Sequence, residues 1–400
     1  MSGLPPLGLY LHMPWCVRKC PYCDFNSHAA EGELPEAAYL QAILDDLDSD
    51  LAGFPGAQLS ERLVETVFIG GGTPSLISPS GYATLFAGLR QRLRFADDVE
   101  ITLEANPGTV EQGLFSGYRA VGINRLSIGV QTFQGEQLTA LGRIHSGGEA
   151  LRAAESARAA GFTTFNLDLM HGLPGQTVAQ ALDDLRQAIA LAPTHLSWYQ
   201  LTLEPNTVFA RRPPDLPDED VLADIQEAGQ ALLAAEGYVQ YEVSAYARPG
   251  HPCRHNLNYW RFGDYLGLGA GAHGKLTAPD GEGGLAIVRT QKTRAPRDYL
   301  AAAERLRVGA VAGSAGFRTA ATDIPAAERP FEFMLNALRL IDGVPMTSWA
   351  ARTGLADEVL ADTLQHLRGR GLLAADPGRL VATPLGQRYL NQVIEAFLTD

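Results

Sequence analysis

The segment LGLYLHMPWCVRKCPYC, residues 7–23, passes from a short apolar run straight into three cysteines. Its first six residues, Leu7–His12, are typical of a strand that is covered on both faces. Similar runs predict five more strands, at Glu65–Ile69, Glu100–Glu104, Arg125–Val130, Phe162–Met170 and His195–Leu201. Helical patterns accompany these strands, at Glu36–Leu51, Pro79–Leu93, Glu149–Ala160, Ala179–Leu191 and Val221–Glu236.

This alternation of strands and helices predicts βαβ units and a parallel sheet. Six such units favour an α/β fold of the partial (β/α)6-type TIM-barrel class, with a doubly wound open sheet as the alternative. In both folds the chemistry is expected at the carboxyl ends of the strands, so the residues that follow each strand are the candidates for a site.

The chain changes character after residue 245. The stretch 246–325 reads as a less regular connecting segment that contains the glycine-rich loop Leu266–Gly274. Helices are then predicted at Phe331–Leu340, Asp357–Arg368 and Pro384–Phe397, with two strands in Leu372–Thr383 around an Asp-Pro-Gly turn. These elements predict a C-terminal winged-helix-like α+β domain. The expected division is therefore 1–245, 246–325 and 326–400.

Composition excludes several classes of protein. The 400 residues include 32 Lys and Arg against 45 Asp and Glu, a formal net charge of −13. Such an acidic chain lacks the basic footprint of a nucleic-acid binder, so we expect the C-terminal domain to serve in packing. No run approaches the ~20 apolar residues that cross a bilayer, and the N-terminal residues lack the pattern of a signal peptide. We therefore expect a cytoplasmic protein.

The three crowded cysteines, Cys16, Cys20 and Cys23, form a CxxxCxxC pattern directly after the first predicted strand. Structural zinc sites use four ligands, usually in separated pairs, and no second pair stands nearby. Three thiolates fit a [4Fe–4S] cluster with one iron left open to another ligand, since such clusters otherwise take four cysteines. A three-cysteine zinc site and incidental or redox-active thiols are the alternatives.

Polar or glycine residues follow the other predicted strands. Gly70-Gly71-Gly72-Thr73 ends the second strand, and glycines there allow a ligand to approach the backbone closely. The later strands and their extensions carry Glu104, Gln131, Arg143 and Asp168. Each of these side chains alone is compatible with a salt bridge at the rim. Together they predict a polar ligand site at the mouth of the barrel, where carboxylates suit hydroxyl groups and arginine suits a carboxylate.

Seven motifs give the chain a family resemblance: YLHMPWCVRKCPYCDF, FIGGGTPSL, EANPGT, SIGVQTF, LGRIHS, DLMHGLPGQT and LEPNT. CxxxCxxC after a first strand resembles the radical S-adenosylmethionine (SAM) superfamily. The full set resembles the branch around oxygen-independent coproporphyrinogen III oxidase over nearly the whole chain. Within this branch the chain is more similar to the radical SAM haem chaperone family, HemW.

Four features separate the two groups. Phe25 stands where the oxidases carry a further cysteine, and only 15 residues precede Cys16 where the oxidases have a long extension. Residues 255–260 read HNxxYW, a motif associated with haem binding in the chaperone family, and the loop Asp264–Gly274 resembles the loop that follows it there.

The resemblance implies a role for each matching residue. The cluster ligands would be Cys16, Cys20 and Cys23. The implied SAM contacts are Tyr10, Tyr22, Gly71, Gly72, Thr73, Glu104, Gln131, Arg143 and Asp168, with Thr202 matched by spacing only. The haem candidates are Cys253, His255, Tyr259 and Trp260. Imidazole and thiolate both ligate haem iron, aromatic rings can stack on a porphyrin, and Arg254 suits a propionate.

The haem motif also has a structural interpretation, in which Tyr259 and Trp260 are core aromatics and His255 is an internal hydrogen-bonding group. The resemblance favours a chaperone that holds a [4Fe–4S] cluster and SAM, binds haem as cargo and delivers it to acceptors such as membrane respiratory enzymes, with a homodimer implied. The alternatives are oxidative decarboxylation of coproporphyrinogen III propionates to vinyls and a zinc-stabilised scaffold. Whether the chain is an enzyme stays open at this point.

Overall fold

The structure is a computed structural model that describes residues 3–309 and 316–398. Its strands are β1 (Leu7–Met13), β2 (Trp15–Cys16), β3 (His28–Ala29), β4 (Leu63–Gly71), β5 (Arg94–Ala105), β6 (Arg125–Gln131), β7 (Thr164–His171), β8 (His195–Gln200), β9 (Val239–Glu242), β10 (Ala245–Ala247), β11 (Asp264–Leu268), β12 (His273–Pro279), β13 (Leu285–Lys292), β14 (Arg318–Asp323), β15 (Val344–Pro345) and β16 (Arg379–Leu380).

The α-helices are α1 (Glu36–Gly53), α2 (Pro79–Arg90), α3 (Thr109–Ala120), α4 (Gly135–Ala140), α5 (Gly147–Ala159), α6 (Val178–Ala190), α7 (Val208–Arg211), α8 (Glu219–Ala235), α9 (Arg254–Trp260), α10 (Pro296–Arg307), α11 (Arg329–Ala337), α12 (Thr347–Thr353), α13 (Ala361–Gly369), α14 (Pro384–Arg388) and α15 (Leu390–Glu395). Short 3-10 turns lie at Pro55–Ala57, Pro74–Leu76 and Asp357–Leu360.

Twelve strands form one sheet in the order β14-β13-β12-β11-β1-β4-β5-β6-β7-β8-β10-β9. The six predicted strands, β1 and β4 to β8, are parallel neighbours in chain order. A doubly wound sheet would reverse this order at a switch point, so the alternative fold is wrong. In the described part of the chain β8 and β11 do not pair, and the barrel is therefore partial, as predicted.

The helices cover the outer face of the parallel strands. Helix α5 begins with a capping box between Ser146 and Glu149, and its buried face is made only of alanines, Ala150, Ala153, Ala154 and Ala157. Small side chains let this helix lie close to the sheet. Helix α6 begins with a second capping box, from Thr177 and Gln180. These caps satisfy N–H groups that would otherwise lack partners at the helix starts, which explains why both predicted helices form.

The expectation of an irregular stretch after residue 245 is wrong. Strand β11 adds to β1 in parallel, and β12, β13 and β14 continue the sheet antiparallel. Sequence periodicity missed these strands because they bury charges. Asp264 accepts from Arg62 and Lys275, each at 2.9 Å, and Lys292 lies between two buried aspartates of α1.

The C-terminal part is a small α+β unit of helices α11 to α15 around a second core that includes Phe333 and Trp349. The predicted hairpin in 372–383 is wrong in detail. Strand β16 pairs with β15, and Leu373–Ala382 is an isolated bridge. The predicted last helix is interrupted at Tyr389. The division into 1–245, 246–325 and 326–400 stays a prediction, and residues 1–2, 310–315 and 399–400 lie outside the described ranges.

Candidate functional site

The cysteine loop lies at the carboxyl end of the barrel strands. Cys16 belongs to β2, which pairs with β3, and Cys20 and Cys23 follow in a turn closed by a hydrogen bond from the Cys23 N–H to the Cys20 carbonyl, 3.2 Å. Burial raises the pKa of the Cys16 and Cys23 thiols. Among the described residues, no three His, Cys, Asp or Glu side chains converge on one point as they would around a single metal ion.

The glycine turn after β4 is fastened to the same loop. The N–H groups of Gly72 and Thr73 donate to the carbonyls of Met13 and Trp15, each at 2.7 Å. Gly71 has φ +113°, and a Cβ there would lie 2.6 Å from His12 Cε1. A Cβ on Gly72 would overlap the Trp15 carbonyl. The turn therefore needs glycine at both positions, and it stands against the cysteine loop as predicted.

Arg143 crosses from the segment after α4 to the cysteine loop. Its guanidinium donates to Gly129 O at 2.6 Å, to Asn106 Oδ1 at 2.8 Å and to Cys20 Sγ at 3.7 Å. Its Nε is enclosed and has no hydrogen-bond partner among residues 3–309 and 316–398. No carboxylate of the described residues pairs with it, although the side chain is only half-exposed. This arrangement leaves a fixed cation without an anion.

Two carboxyl groups lie on neighbouring sides of the barrel interior. Glu104 Oε2 accepts from the Gly71 N–H at 3.2 Å, and Asp168 accepts from Ser127 Oγ at 3.0 Å. Burial, with a further contribution from the charge of Asp168, raises the pKa of Glu104 to about 8. Within the described ranges Glu104 has no cationic partner. The mouth thus holds an acidic group and a basic group that are both unpaired.

Gln131 carries backbone strain at the end of β6. Its φ is +68°, in the left-handed region that a residue other than glycine rarely adopts. The side chain is buried, and its Oε1 accepts from Tyr199 Oη at 2.9 Å. Strain of this kind is concentrated at functional positions, where the surroundings hold it in place. Tyr199, on β8, was missed from the sequence because it reads as one more apolar strand residue.

Tyr10, Tyr22 and Thr73 complete the predicted group at the mouth. The Tyr10 hydroxyl lies 3.0 Å from His12 Nδ1 and donates to it, because His12 Nε2 donates to Asn26 O at 2.9 Å. Tyr22 packs against Phe209 and lies beside Arg143. Thr73 Oγ1 accepts from Asn106 at 3.2 Å. Asn106, which orients both Thr73 and Arg143, is a second residue that motif reasoning missed. Thr202, by contrast, is exposed and bonds Glu204.

A cavity of about 510 Å³ opens beside this group. Cys20, Thr73, Asn106 and Arg143 line its polar side, and Val17 and Ile144 are among its apolar walls. Its size falls in the range of small-molecule sites. The structure therefore brings the cysteines, the glycine turn and the polar strand ends into one region of the barrel mouth.

The HNxxYW motif lies elsewhere, at the amino ends of the strands. It forms helix α9, whose first N–H groups, those of Arg254 and His255, donate to Glu100 at 3.2 and 3.1 Å. Cys253 is buried, and its thiol lies 3.6 Å from Glu100. Arg254 is already paired with Asp98 at 3.1 Å. Helix α9 thereby closes the end of the barrel opposite to the cysteine loop.

His255 is enclosed between α9 and β4. Its Nδ1 lies 2.8 Å from Thr66 Oγ1, its ring stacks on Phe68 at 5.2 Å, and Tyr259 meets it edge-on at 4.7 Å. Burial lowers the pKa of His255 to about 3, so the imidazole is neutral. In the described part of the chain its Nε2 has no hydrogen-bond partner. Tyr259 and Trp260 are half-buried, and Arg339 lies 4.4 Å above the Trp260 ring. As placed, Cys253 and His255 are interior groups, and Tyr259 and Trp260 are partly exposed.

Comparison with known proteins gives family matches to two parts of the chain. Residues 10–188 match the Radical SAM superfamily, and residues 324–389 match the HemN C-terminal domain. The chain is 52% identical to "Heme chaperone HemW" of Escherichia coli strain K12 over 400 residues, with 100% of both chains covered. It is 48% identical to the protein of the same name from Haemophilus influenzae, again over 100% of both.

A solved structure shares the fold. The Escherichia coli coproporphyrinogen III oxidase HemN, described as a radical SAM enzyme, matches with a TM-score of 0.79 and 24% sequence identity, covering 100% of this chain and 91% of that one. No helix in the described residues is long and apolar enough to traverse a bilayer.

Proposed function

This chain belongs to the HemW family of the radical SAM superfamily, and from that premise we propose that it is a haem chaperone that carries a [4Fe–4S] cluster and SAM at the barrel mouth. The observation that carries the proposal is 52% identity along the entire length of a protein named as a haem chaperone. The resemblance first seen in the motifs is confirmed as a family membership. The likeness to the oxidase HemN, at 24% identity, is one of fold.

The donor set at the mouth fits both groups. Three cysteines lie in one loop, Cys16 buried and Cys20 and Cys23 partly exposed, and each can bind a different iron, so they need not converge on one point. SAM carries an ammonium, a sulfonium and a carboxylate. Arg143 offers a positive charge to the carboxylate, and Glu104 offers a carboxyl group whose ionised form an approaching ammonium would favour. When bound, the cluster and SAM supply electron transfer and a source of a carbon radical.

The protein's own residues would position these groups. Cys16, Cys20 and Cys23 would hold the cluster. Arg143 would receive the SAM carboxylate through a charge-assisted hydrogen bond, and the glycine turn would let the rest of the amino-acid portion approach the backbone closely. Glu104 and Asp168 would accept from hydroxyl or ammonium groups. Tyr10, Tyr22, Thr73 and Gln131 would complete the walls of this SAM site.

For haem we propose His255 as the iron ligand, with Tyr259 and Trp260 against the macrocycle and Cys253 as the second candidate ligand. The support is chemical. The imidazole is neutral, and its Nε2 is without a partner in the described structure. Because this nitrogen is enclosed, iron reaches it only when α9 separates from β4. Haem capture would therefore require α9 to move away from the amino ends of the barrel strands.

The proposed partners are haem-accepting proteins, with membrane respiratory enzymes as the first class to test, and a second copy of this chain. We propose that the protein acts in the cytoplasm. The experiment is a haem titration of the anaerobically reconstituted protein, followed by absorbance. Wild type is compared with His255→Phe, which keeps the ring stacking on Phe68 and removes the ligand atom, and with His366→Ala on an exposed surface.

The proposal predicts stoichiometric binding by wild type and by His366→Ala, and weaker binding with altered absorbance for His255→Phe. Binding that is identical in all three proteins would remove His255 from the site. No binding at all would remove the chaperone function. The second candidate, oxidation of coproporphyrinogen III, is favoured by the shared fold and is tested by anaerobic assay for protoporphyrinogen.

A further inference from the structure

A chain of hydrogen bonds runs beneath Asp168, away from the mouth and into the barrel. Asn166 Nδ2 lies 2.7 Å from Asp168 Oδ1, and Asn166 Oδ1 lies 2.7 Å from His195 Nδ1. His195 Nε2 lies 2.9 Å from the hydroxyl of Tyr241, which itself lies against the backbone of Cys253. Asn166 and His195 are each 1% exposed. Neither residue belongs to the set predicted to contact SAM.

The direction of every bond in this chain is fixed. Asn166 Oδ1 also accepts from the backbone N–H of Ser197 at 2.8 Å, so this atom must be the amide oxygen. The amide nitrogen therefore donates to Asp168 and to Ser127 Oγ, the latter at 2.8 Å. His195 must donate from Nδ1, and its Nε2 must accept from Tyr241. Ser127 in turn donates to the other oxygen of Asp168 at 3.0 Å.

The hydrogen bonds of this chain thus run in one direction, from Tyr241 through His195 and Asn166 to the carboxylate of Asp168. Both oxygens of Asp168 are engaged from below, which fixes the plane of the group and leaves its remaining lone pairs toward the mouth. Such bonds favour the ionised form of a carboxyl group. They oppose burial, which raises the pKa of Asp168.

The other groups that face Asp168 come from three strands. Arg125 on β6 attracts its negative charge, whereas Glu104 on β5 and Tyr199 on β8 lie close enough to interact with it unfavourably. His195 is held neutral, since burial lowers its pKa well below the usual value. The carboxylate therefore depends on the donors of Asn166, Ser127 and Ser197 as well as on Arg125.

We propose that Asn166 and His195 are positioning residues of the SAM site, which hold Asp168 in one orientation and ready to accept from the ligand. The inference rests on the proposed function, in which Asp168 contacts SAM. Asn166 acts directly on the carboxylate. His195 acts through Asn166, because its N–H holds the amide in the orientation that donates to Asp168.

The test is the dissociation constant of SAM for the cluster-reconstituted protein, measured by calorimetry between pH 6 and 9. Asp168→Asn is the reference, and the positioning variants are Asn166→Leu and His195→Leu. His195→Gln is the conservative variant, because its amide can donate to Asn166 and accept from Tyr241. Tyr241→Phe removes one hydroxyl and keeps the packing. Far-ultraviolet circular dichroism and iron content verify that each variant folds and holds its cluster.

We expect Asp168→Asn, Asn166→Leu and His195→Leu each to weaken SAM binding about tenfold at pH 7. His195→Gln should stay within about threefold of wild type, and Tyr241→Phe should lose about twofold to threefold. For Asn166→Leu the ratio to wild type should shrink as the pH rises, because the less supported carboxyl then ionises. A merely structural defect would give the same ratio at every pH.

Two results distinguish a wrong assignment of Asp168 to the SAM site from a wrong positioning role for Asn166 and His195. If Asp168→Asn binds SAM as wild type does, the assignment of Asp168 to the SAM site is wrong. Suppose instead that Asp168→Asn weakens SAM binding. The positioning role of Asn166 is then overturned if Asn166→Leu binds SAM as wild type does at all pH values. The role of His195 is overturned if both His195→Leu and the fold-preserving Tyr241→Phe do so.

Discussion

The guanidinium of Arg143 lies 3.7 Å from the sulphur of Cys20 and so joins the segment after the fourth parallel strand to the cysteine loop. The same side chain is held by Asn106 at 2.8 Å and has no carboxylate partner among the described residues. A cation that is fixed beside Cys20, a proposed cluster ligand, and that has no carboxylate partner in the described structure is suited to receive an acidic ligand group next to the iron that the proposal leaves open. This relationship is the geometric basis of the proposed SAM site.

Replacement of Arg143 should therefore weaken SAM binding. We expect Arg143→Ala to raise the dissociation constant of SAM about tenfold to a hundredfold, because the charge-assisted bond is lost. Arg143→Lys should fall between this variant and wild type, since it retains the charge but not the hydrogen bonds that fix the guanidinium to Asn106 and Gly129. Calorimetry on reconstituted protein measures the effect. Arg186→Ala, on the exposed face of α6, is the control and should bind normally.

Removal of each loop cysteine should abolish the cluster, whereas removal of the fourth cysteine should not. Cys16→Ala, Cys20→Ala and Cys23→Ala are expected to lose most of their iron and sulphide after anaerobic reconstitution. Cys253→Ala is the matched control, because that thiol lies at the opposite end of the barrel beside Glu100. Equal loss of iron from Cys253→Ala and from the loop variants would contradict the assigned ligand set.

The glycine turn should tolerate no side chain. Gly72→Ala places a Cβ into the Trp15 carbonyl and should destabilise the fold by about 1–3 kcal/mol. Gly113→Ala, in α3, meets no atom within 4 Å and should be neutral or slightly stabilising. Thermal unfolding measures both variants. A Gly72→Ala protein as stable as wild type would show that the turn is more open than the structure places it.

Glu104 should make the stability of the ligand-free protein depend on pH. Its pKa is raised from 4.5 to about 8 in the folded state. The folded state therefore binds more protons than the unfolded state between these values, and stability falls as the pH rises from about 5 to 8. Glu104→Gln should remove this component, so the difference in melting temperature between variant and wild type should grow over that interval. A constant difference would argue against the raised pKa.

Opening of α9 should control haem capture. Glu100→Ala removes the acceptor of the first N–H groups of this helix and weakens its docking by about 1 kcal/mol. If opening limits the rate, haem association measured by stopped flow should accelerate about fivefold. Asp98→Ala breaks only an exposed ion pair of the same helix and is the control. Unchanged association in both variants would mean that haem enters without movement of α9.

The barrel strands and the loop cysteines could be predicted from the sequence because both have strong local signals. Continuous apolar runs such as those around Leu9 and Ile128 predict covered parallel strands, and CxxxCxxC is a compact ligand pattern. The strands β11 to β14 could not be predicted in this way. Their interior includes Asp264 and Lys292, whose burial depends on Arg62 and Asp46, partners far away in the sequence.

The candidate site also contains residues that could be predicted from local sequence and residues that could not. Glu104, Gln131 and Asp168 lie in the later halves of three neighbouring parallel strands, whose carboxyl ends meet at one edge, so their proximity was predictable. Arg143 comes later, after α4, and reaches the same edge through its long side chain. Asn106, Asn166 and His195 could not be predicted, because their roles depend on hydrogen bonds between strands rather than on any motif. The enclosure of His255 behind α9 was likewise invisible in HNxxYW, which specifies residue types and not which face of the helix is covered.

Haem transfer is the sharpest test of the proposed chaperone function. Anaerobically reconstituted protein, loaded with one equivalent of haem, is mixed with an apo haem protein, and the absorbance of the acceptor is followed beside that of cluster-free protein. We expect stoichiometric loading of the chaperone and faster transfer from its cluster-loaded form. Failure to bind haem, together with formation of protoporphyrinogen from coproporphyrinogen III, would contradict the proposed function.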